Sequence, residues 1–525
     1  MTDRPAATTG QADGGNFHSI LFLDQRDLAT VDDAPAPRCF PDLNLDQLVA
    51  SILRGRDGYR LAAIFHTPLR DLDAIAYRHE VFADLAAEPV HAALAAFGEG
   101  MRSVRSALAQ SSRERYRVPR QWWFAQAAAR YRSTVTEAAD ALDNFPATSR
   151  ALRGLRGHLG AYRNSAGFAA LAHDVDDLLR ALGEVRYTMH IHGDRVRVAR
   201  YAEQPDYTTE VLEAFSRFRQ GPVGDHRMNV RDTNGMNHVE AAITGLVAKL
   251  FPDTFARLAD FPDRHADFLD PVLVDVDREA QFYLAVAGHV ATLRDAGLPF
   301  CLPEVSADDK RLHVVDAFDM ALADKLVADG RPVVGNDVDL DGPERILVVT
   351  GPNQGGKTTY ARMVGQLHHL ARLGCPVPGR VARLKLCDEV FTHFEREEHA
   401  TDLHGKLEDD LLRIHDILRR ATPDSLLIMN EIFTSTTARD ALHLSTEVLR
   451  QVIDRDMVGV CVTFLDELSR LDAATVSMVG TVAPDDPSHR TYRLVRRPAD
   501  GRSYALTLAE RYGLTYQQLR ERIGR

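Results

Sequence analysis

Lysine is nearly missing from this chain. Of 63 basic residues six are Lys (249, 310, 325, 357, 385 and 406), leaving 63 − 6 = 57 Arg. Biased codon usage is the simplest cause of the skew, and a lysine kept against it is a candidate position for chemistry that needs an ammonium. Cysteine is also scarce: Cys39, Cys301, Cys375, Cys387 and Cys461 are odd in number and show no C-x-x-C spacing, which excludes a disulfide framework and a zinc knuckle. No apolar run approaches the roughly 20 residues that span a bilayer. Residues 1–15 lack the apolar segment of a signal peptide, so a reducing, cytoplasmic setting with no membrane partner is expected. A global excess of positive charge is missing too, since 75 acids outnumber the bases for a net −12. Indiscriminate binding to nucleic acid is thereby excluded, and any such contact needs a local patch.

What is present is an ordinary globular balance, 45% hydrophobic and 26% charged in 525 residues, enough chain for about three domains with sizeable cores. Residues 1–16 read as a disordered polar tail. A short apolar run at Ile20–Leu23 and a Pro-rich stretch (Pro35, Pro37, Pro41) lead into helical periodicity at Leu43, Leu45, Leu48 and Ile52. From 70 to 183 apolar positions recur at three- and four-residue spacing, as in Val81–Leu85 and Leu171–Val175–Leu178–Leu179–Leu182, which predicts long amphipathic helices. Residues 185–201 alternate in polarity about Gly193–Asp194 and predict a β-hairpin. Helices resume to about 296, after which short apolar strands alternate with helices to the end. The expected organisation is a mainly α-helical core and lever region over 17–296 and an α/β domain over 297–525.

Inside the second region a β-branched run, Ile346–Val349, enters Gly351-Pro352-Asn353-Gln354-Gly355-Gly356-Lys357-Thr358-Thr359 and then a helix. Strand, glycine-rich turn and helix N-terminus in that order form a phosphate-binding loop: glycines let backbone amides converge on phosphate oxygens, and the helix dipole adds positive charge. Lys357 is expected to reach the β- and γ-phosphates of a nucleotide and the Thr358 hydroxyl to bind Mg²⁺. About 70 residues on, Ser425–Glu431 is an apolar strand ending in two polar residues. Asn430 stands where a metal-shell carboxylate is usual, and Glu431 is the candidate general base that polarises water.

Thr350 to Tyr360 resembles the ATPase motif of MutS-type DNA mismatch-repair proteins, in which Gly-Pro-Asn precedes Gly-Gly-Lys. Asn336-Asp337-Val338, Val377-Pro378-Gly379, Val390-Phe391-Thr392, and Met429-Asn430-Glu431-Ile432 with Thr436-Thr437 are similar to family blocks in order and spacing. Upstream, Thr67–Asp71 with Tyr77–Glu80 is similar to the start of the family's helical core, and 277–296 resembles its lever helix. The resemblance implies an ABC-type P-loop ATPase domain and a homodimer in which each subunit completes the other's ATP site. It further implies a clamp on DNA controlled by nucleotide state, in repair or recombination. By the same resemblance Asn353 orients the γ-phosphate or water.

The departures are equally specific. The helical core is expected to begin by about residue 40, without the module that reads mismatches, so duplex or branched DNA is the expected partner. The serine-bearing signature segment is replaced near Asp402–Leu412, where Gly405 and Lys406 are candidates for phosphate contact. Phe464 stands where the family has a γ-phosphate-sensing histidine.

Between Arg102 and Arg163 lie 12 Arg and 4 acids, a local +8. Arg113, Arg115, Arg117 and Arg120 alternate there with Tyr116 and lead into Trp122-Trp123-Phe124, a pattern suited to DNA phosphate contacts with stacking. The same pattern fits solvated helix faces over an aromatic core. The alternative function is a nucleotide-gated scaffold that binds a protein and not DNA. His190 and His192 share a strand face but bring no further metal ligand.

Overall fold

The computed structural model describes residues 17–24, 34–193, 195–203, 236, 238–395, 405–483, 489–499, 514 and 516–523. The predicted tail at 1–16, Asp194 of the hairpin turn and residues 402–404 of the signature-like segment lie outside the described residues.

The N-terminal periodicities become helices: α1 (Leu45–Ile52), α2 (Leu72–Leu85), α3 (Glu88–Arg113), α4 (Arg117–Asp143), α5 (Arg150–Arg163) and α6 (Ala166–Gly183). Caps fix where they start. Asp71 accepts from Ala74 N at 2.9 Å to open α2, and Ser165 accepts from Phe168 N at 3.2 Å to open α6. Val81, Leu85, Leu171, Val175 and Leu178 are buried, as the spacing requires. The hairpin forms from β1 (Tyr187–His192) and β2 (Arg195–Arg200), antiparallel with His192 opposite Arg195. Helices α7 (His238–Leu250), α8 (Pro252–Arg264) and α9 (Pro271–Asp295) follow.

From residue 300 strands and helices alternate: β3 (Phe300–Cys301), β4 (Glu304–Ser306), β5 (Leu312–Ala317), α10 (Met320–Ala328), β6 (Asn336–Leu340), β7 (Ile346–Thr350), α11 (Lys357–Arg372), β8 (Val377–Pro378), β9 (Val381–Lys385), β10 (Val390–Phe394), α12 (Lys406–Arg420), β11 (Leu426–Asn430), α13 (Ala438–Asp454), β12 (Val458–Val462), β13 (Thr475–Val482), β14 (Arg490–Arg496) and α14 (Tyr516–Ile523). Six strands form one sheet in the order β10-β11-β12-β7-β13-β14, parallel except for the antiparallel β13–β14 pair. A second sheet runs β4-β9-β5-β6. Strands β7, β11 and β12 are buried at every position, the signature of a parallel sheet covered on both faces.

The chain divides into two bodies, and not at a single break near 297. One holds Glu88–Ala147 and Arg153–Ala280; the other holds His18–Ala87, Thr148–Leu152 and Gln281–Arg525. Residues 18–87, expected to begin the helical core, belong with the sheet. They are tied there by polar contacts of long reach: Tyr77 Oη donates to Ser19 O at 2.7 Å, Leu69 N to Arg372 O at 2.8 Å, and Gln366 Nε2 to Leu43 O at 2.9 Å.

This wrapping changes α11. Its periodicity is amphipathic, yet it is buried on nearly every side, because the N-terminal segment covers the face that periodicity assigns to solvent. Gly365 permits the approach, since a Cβ there would lie 2.6 Å from Leu43 Cδ2. Burial strips water from His368 and His369 and pulls their pKa values down to about 4 and about 3. Each ring hydrogen-bonds a carbonyl, of Val364 and of Phe65 respectively.

Candidate nucleotide site

The site grows from β7, the strand lying between β12 and β13. At Gly351 the backbone turns with φ 123°, and a Cβ would stand 2.8 Å from Gly480 N of β13, so the residue type is dictated by that neighbouring strand. Gly355 N closes a turn onto Pro352 O at 3.2 Å, and Gly356 opens α11 with φ 89°. Lys357 folds back over this loop, donating to Gly351 O at 3.1 Å and Pro352 O at 3.3 Å. Its ammonium also lies 4.1 Å from the centroid of the Phe464 ring.

The Thr358 hydroxyl donates to Asn430 Oδ1 at 2.9 Å, which joins the start of α11 to the end of β11. Glu431 follows in a left-handed conformation, φ 55°, with its N–H donated to Val462 O at 2.9 Å. The carboxylate and the ammonium act on each other through space. Burial lowers the Lys357 pKa, with Glu431 opposing and Arg490 adding to the fall; burial raises that of Glu431, with Lys357 opposing and Glu395 adding. The result is a carboxylate of raised basicity beside a partly dehydrated ammonium, at the carboxyl ends of parallel strands, where open α/β sheets hold their ligands.

A cavity of about 390 Å³ opens on the loop. Asn353, Gln354, Gly355, Gly356, Lys357, Thr358, Thr359 and Glu431 line it, whereas Gly351, Pro352 and Asn430 stand outside the lining. Its other wall is mixed: Phe318, Leu322, Leu326 and Pro332 are apolar, Asp319, Arg331 and Asn336 stand among them, and Tyr492 joins from β14. Sequence reasoning misses these wall residues. They sit on separate elements and read locally as ordinary core pattern; the signal available is the position of 318–336 immediately before the loop's own strand.

Gly405 precedes α12, and the Lys406 ammonium pairs with Glu395, whose Oε1 also accepts from Thr434 Oγ1 at 3.2 Å. In the helical body, Arg113, Arg115, Arg117 and Arg120 fall around the turn between α3 and α4, all exposed. Arg120 donates from Nε and Nη2 to Glu114 O at 3.2 and 3.0 Å, which holds the turn. The aromatics that follow divide between the two readings. Phe124 packs edge-on against Phe261 and Phe268, while Trp122 is 39% exposed and meets Trp123 edge-on at 4.8 Å. His190 and His192 face Arg197 and Arg195 across the hairpin, and among the described residues no cluster of three metal-ligating side chains forms.

Residues 347–520 match the family model for MutS domain V. The chain is 32% identical over 143 residues to the DNA mismatch repair protein MutS of Caldicellulosiruptor saccharolyticus, covering 26% of this chain and 17% of that protein. It is 31% identical over 188 residues to MutS of Lawsonia intracellularis, covering 34% and 21%. With MutS of Lactobacillus gasseri the match is 27% over 289 residues, covering 54% of this chain and 32% of the relative. The chain thus spans a third or less of the length of these relatives. The likeness to MutS lies in residues 347–520, matched to domain V, a mixed helix and sheet region preceded by a mainly helical part, and over that stretch the chain is MutS-like.

Proposed function

We propose that this chain binds ATP with Mg²⁺ at the 351–359 loop and hydrolyses it, and that a homodimer of the chain uses nucleotide state to open or close helical arms on duplex or branched DNA. The proposed fold type is an ABC-type P-loop ATPase. Family members are ATPases that bind DNA and act as dimers, which supports the reading. The observation that carries it is the meeting, around one glycine loop, of Lys357, the Thr358–Asn430 pair and Glu431.

In this reading the loop amides and Lys357 hold the phosphates, and Glu431 accepts a proton from the attacking water. Thr358 Oγ1 and Asn430 Oδ1 are neutral oxygen donors suited to a hard cation or its water shell. When bound, Mg²⁺ neutralises charge that builds on the phosphates. Asn430 brings no charge of its own, so metal affinity and turnover are both expected below those of a site with a carboxylate there.

Lys357→Met removes the ammonium and keeps the stem. Affinity for a fluorescent ATP analogue should fall by about tenfold or more, a desolvated charge-assisted bond being worth roughly 1.5–3 kcal/mol. Unchanged affinity would remove this loop as the phosphate site. For DNA, a triple charge reversal at Arg113, Arg115 and Arg117 should abolish retention on duplex or branched DNA. It should also flatten the salt dependence of binding, by roughly 0.9 in log–log slope for each phosphate that the variant no longer neutralises. Retention that survives the reversal would favour a scaffold that binds a protein partner. ATP turnover measured with duplex, mismatched and branched DNA at two salt concentrations then ranks the DNA forms.

A further inference from the structure

Phe464 follows β12, where the segment is pinned to the strand that feeds the loop: Thr463 N donates to Val349 O at 3.0 Å, and Leu465 N turns back onto Thr463 Oγ1 at 3.0 Å. The ring is 51% exposed, an unusual state for phenylalanine, yet its face meets the Lys357 ammonium at 4.1 Å from the centroid. Lys357 itself is 5% exposed. An ammonium has three donor directions. Two point at Gly351 O and Pro352 O, and the π face lies against the group that carries the third. A phenyl ring has no N–H or O–H to offer a phosphate, so its polar interaction at this position is with the cation.

We infer that Phe464 is a positioning residue that acts through Lys357. Its ring holds the ammonium over the loop, sheltered from water, so that a nucleotide phosphate meets an ordered cation instead of a flexible four-carbon chain. The inference rests on the ATP-binding reading above and adds to it how the lysine is kept ready. It also gives the ring's exposure a reason: the phenyl stays at the mouth of the site because the group it serves is there.

The test is a double-mutant cycle on the full chain, read as the affinity for a fluorescent ATP analogue in the unmodified protein, F464L, K357M and the double variant. Leucine keeps apolar bulk and removes the π face, so F464L should weaken binding roughly two- to fivefold, the size of a partly exposed cation–π contact. F464Y and F464W should restore it. In the K357M background F464L should add nothing, and kcat at saturating ATP should change less than affinity does. If F464L unfolds the protein, as read by its thermal midpoint, F464M carries the same comparison. An equal loss in both backgrounds would mean that Phe464 touches the nucleotide directly and would overturn the inference. So would an F464L variant that binds like the unmodified chain, or a loss that tyrosine and tryptophan fail to repair. Absence of nucleotide binding by the unmodified chain overturns the ATP reading itself, an outcome distinct from an additive cycle in a chain that binds.

Discussion

Glu431→Gln should lower ATP turnover by about 10²–10⁴-fold, the usual contribution of a general base, while leaving nucleotide affinity within about threefold. Glutamine has the size and shape of the residue it replaces but cannot accept the proton of an attacking water. The backbone gives no reason to expect wider damage. Glu431 adopts φ 55° with its N–H donated to Val462 O of the neighbouring strand, and glutamine meets a similar strain there. The partners of the lost charge are also limited: Lys357 stands nearby without depending on Glu431 for its position, since its ammonium is held by Gly351 O, Pro352 O and the Phe464 ring. Phosphate release at saturating ATP, paired with a binding titration, separates the two effects. A variant that keeps full turnover would strip Glu431 of its role, and one that loses binding as well would make its contribution structural.

The largest expected loss of stability is at Arg78→Ala. Arg78 is fully buried, with Nε donating to Leu21 O at 3.1 Å and Nη1 to Leu373 O at 2.8 Å. Its guanidinium lies over the rings of Phe22 and Phe282, at 5.4 and 5.6 Å from their centroids. One side chain therefore fastens the N-terminal segment, α2, the end of α11 and α9. Alanine takes the guanidinium donors from two buried carbonyls, leaving Leu373 O only the weak Cys375 thiol at 4.0 Å, and opens a cavity the size of the missing chain. Together these should cost about 3–5 kcal/mol, the range for large buried truncations that also break charged hydrogen bonds. For a body of this size the thermal midpoint should fall by roughly 6–10 °C. Arg78→Lys keeps a charge but not the planar fork, and should fall between the two. A midpoint within a degree of the unmodified protein would show that the segment 18–24 is held by its apolar residues, Ile20, Leu21 and Phe22, without this anchor.

Much of the candidate site is legible in the sequence because the loop proposed to hold phosphate is contiguous chain. The β-branched run at 346–349 gives a buried strand, the glycines permit φ values other residues resist, and one of six lysines falls at the helix start. Each of these is a local preference, so the order of residues along the chain is enough to reveal it. The same holds for the β11 strand, whose run of apolar residues ends at Asn430 and Glu431.

What local pattern does not carry is which distant segments cover an element. Taken alone, the polar residues of α11, His368, His369 and Arg372 among them, mark a solvent face. Tertiary packing buries them by laying N-terminal residues such as Leu43 and Phe65 against the helix, and for two of them the desolvation is offset by carbonyls from other segments, Phe65 O for His369 and Asp388 O for Arg372. The division into bodies departs from the composition shift near 297 for the same reason, since a boundary follows contacts and not composition.

By itself, then, the sequence determined the loop, its strand and helix, the candidate base Glu431 and the exposed arginines at 113–120, all set by backbone preference and periodicity over short stretches. Only the tertiary structure decided that Phe464 meets Lys357, that Phe318 and Tyr492 wall the cavity, and that Arg78 is a buried anchor. Those pairings join residues far apart in the chain, and they form only when the summed burial of the whole body outweighs the entropy of bringing them together.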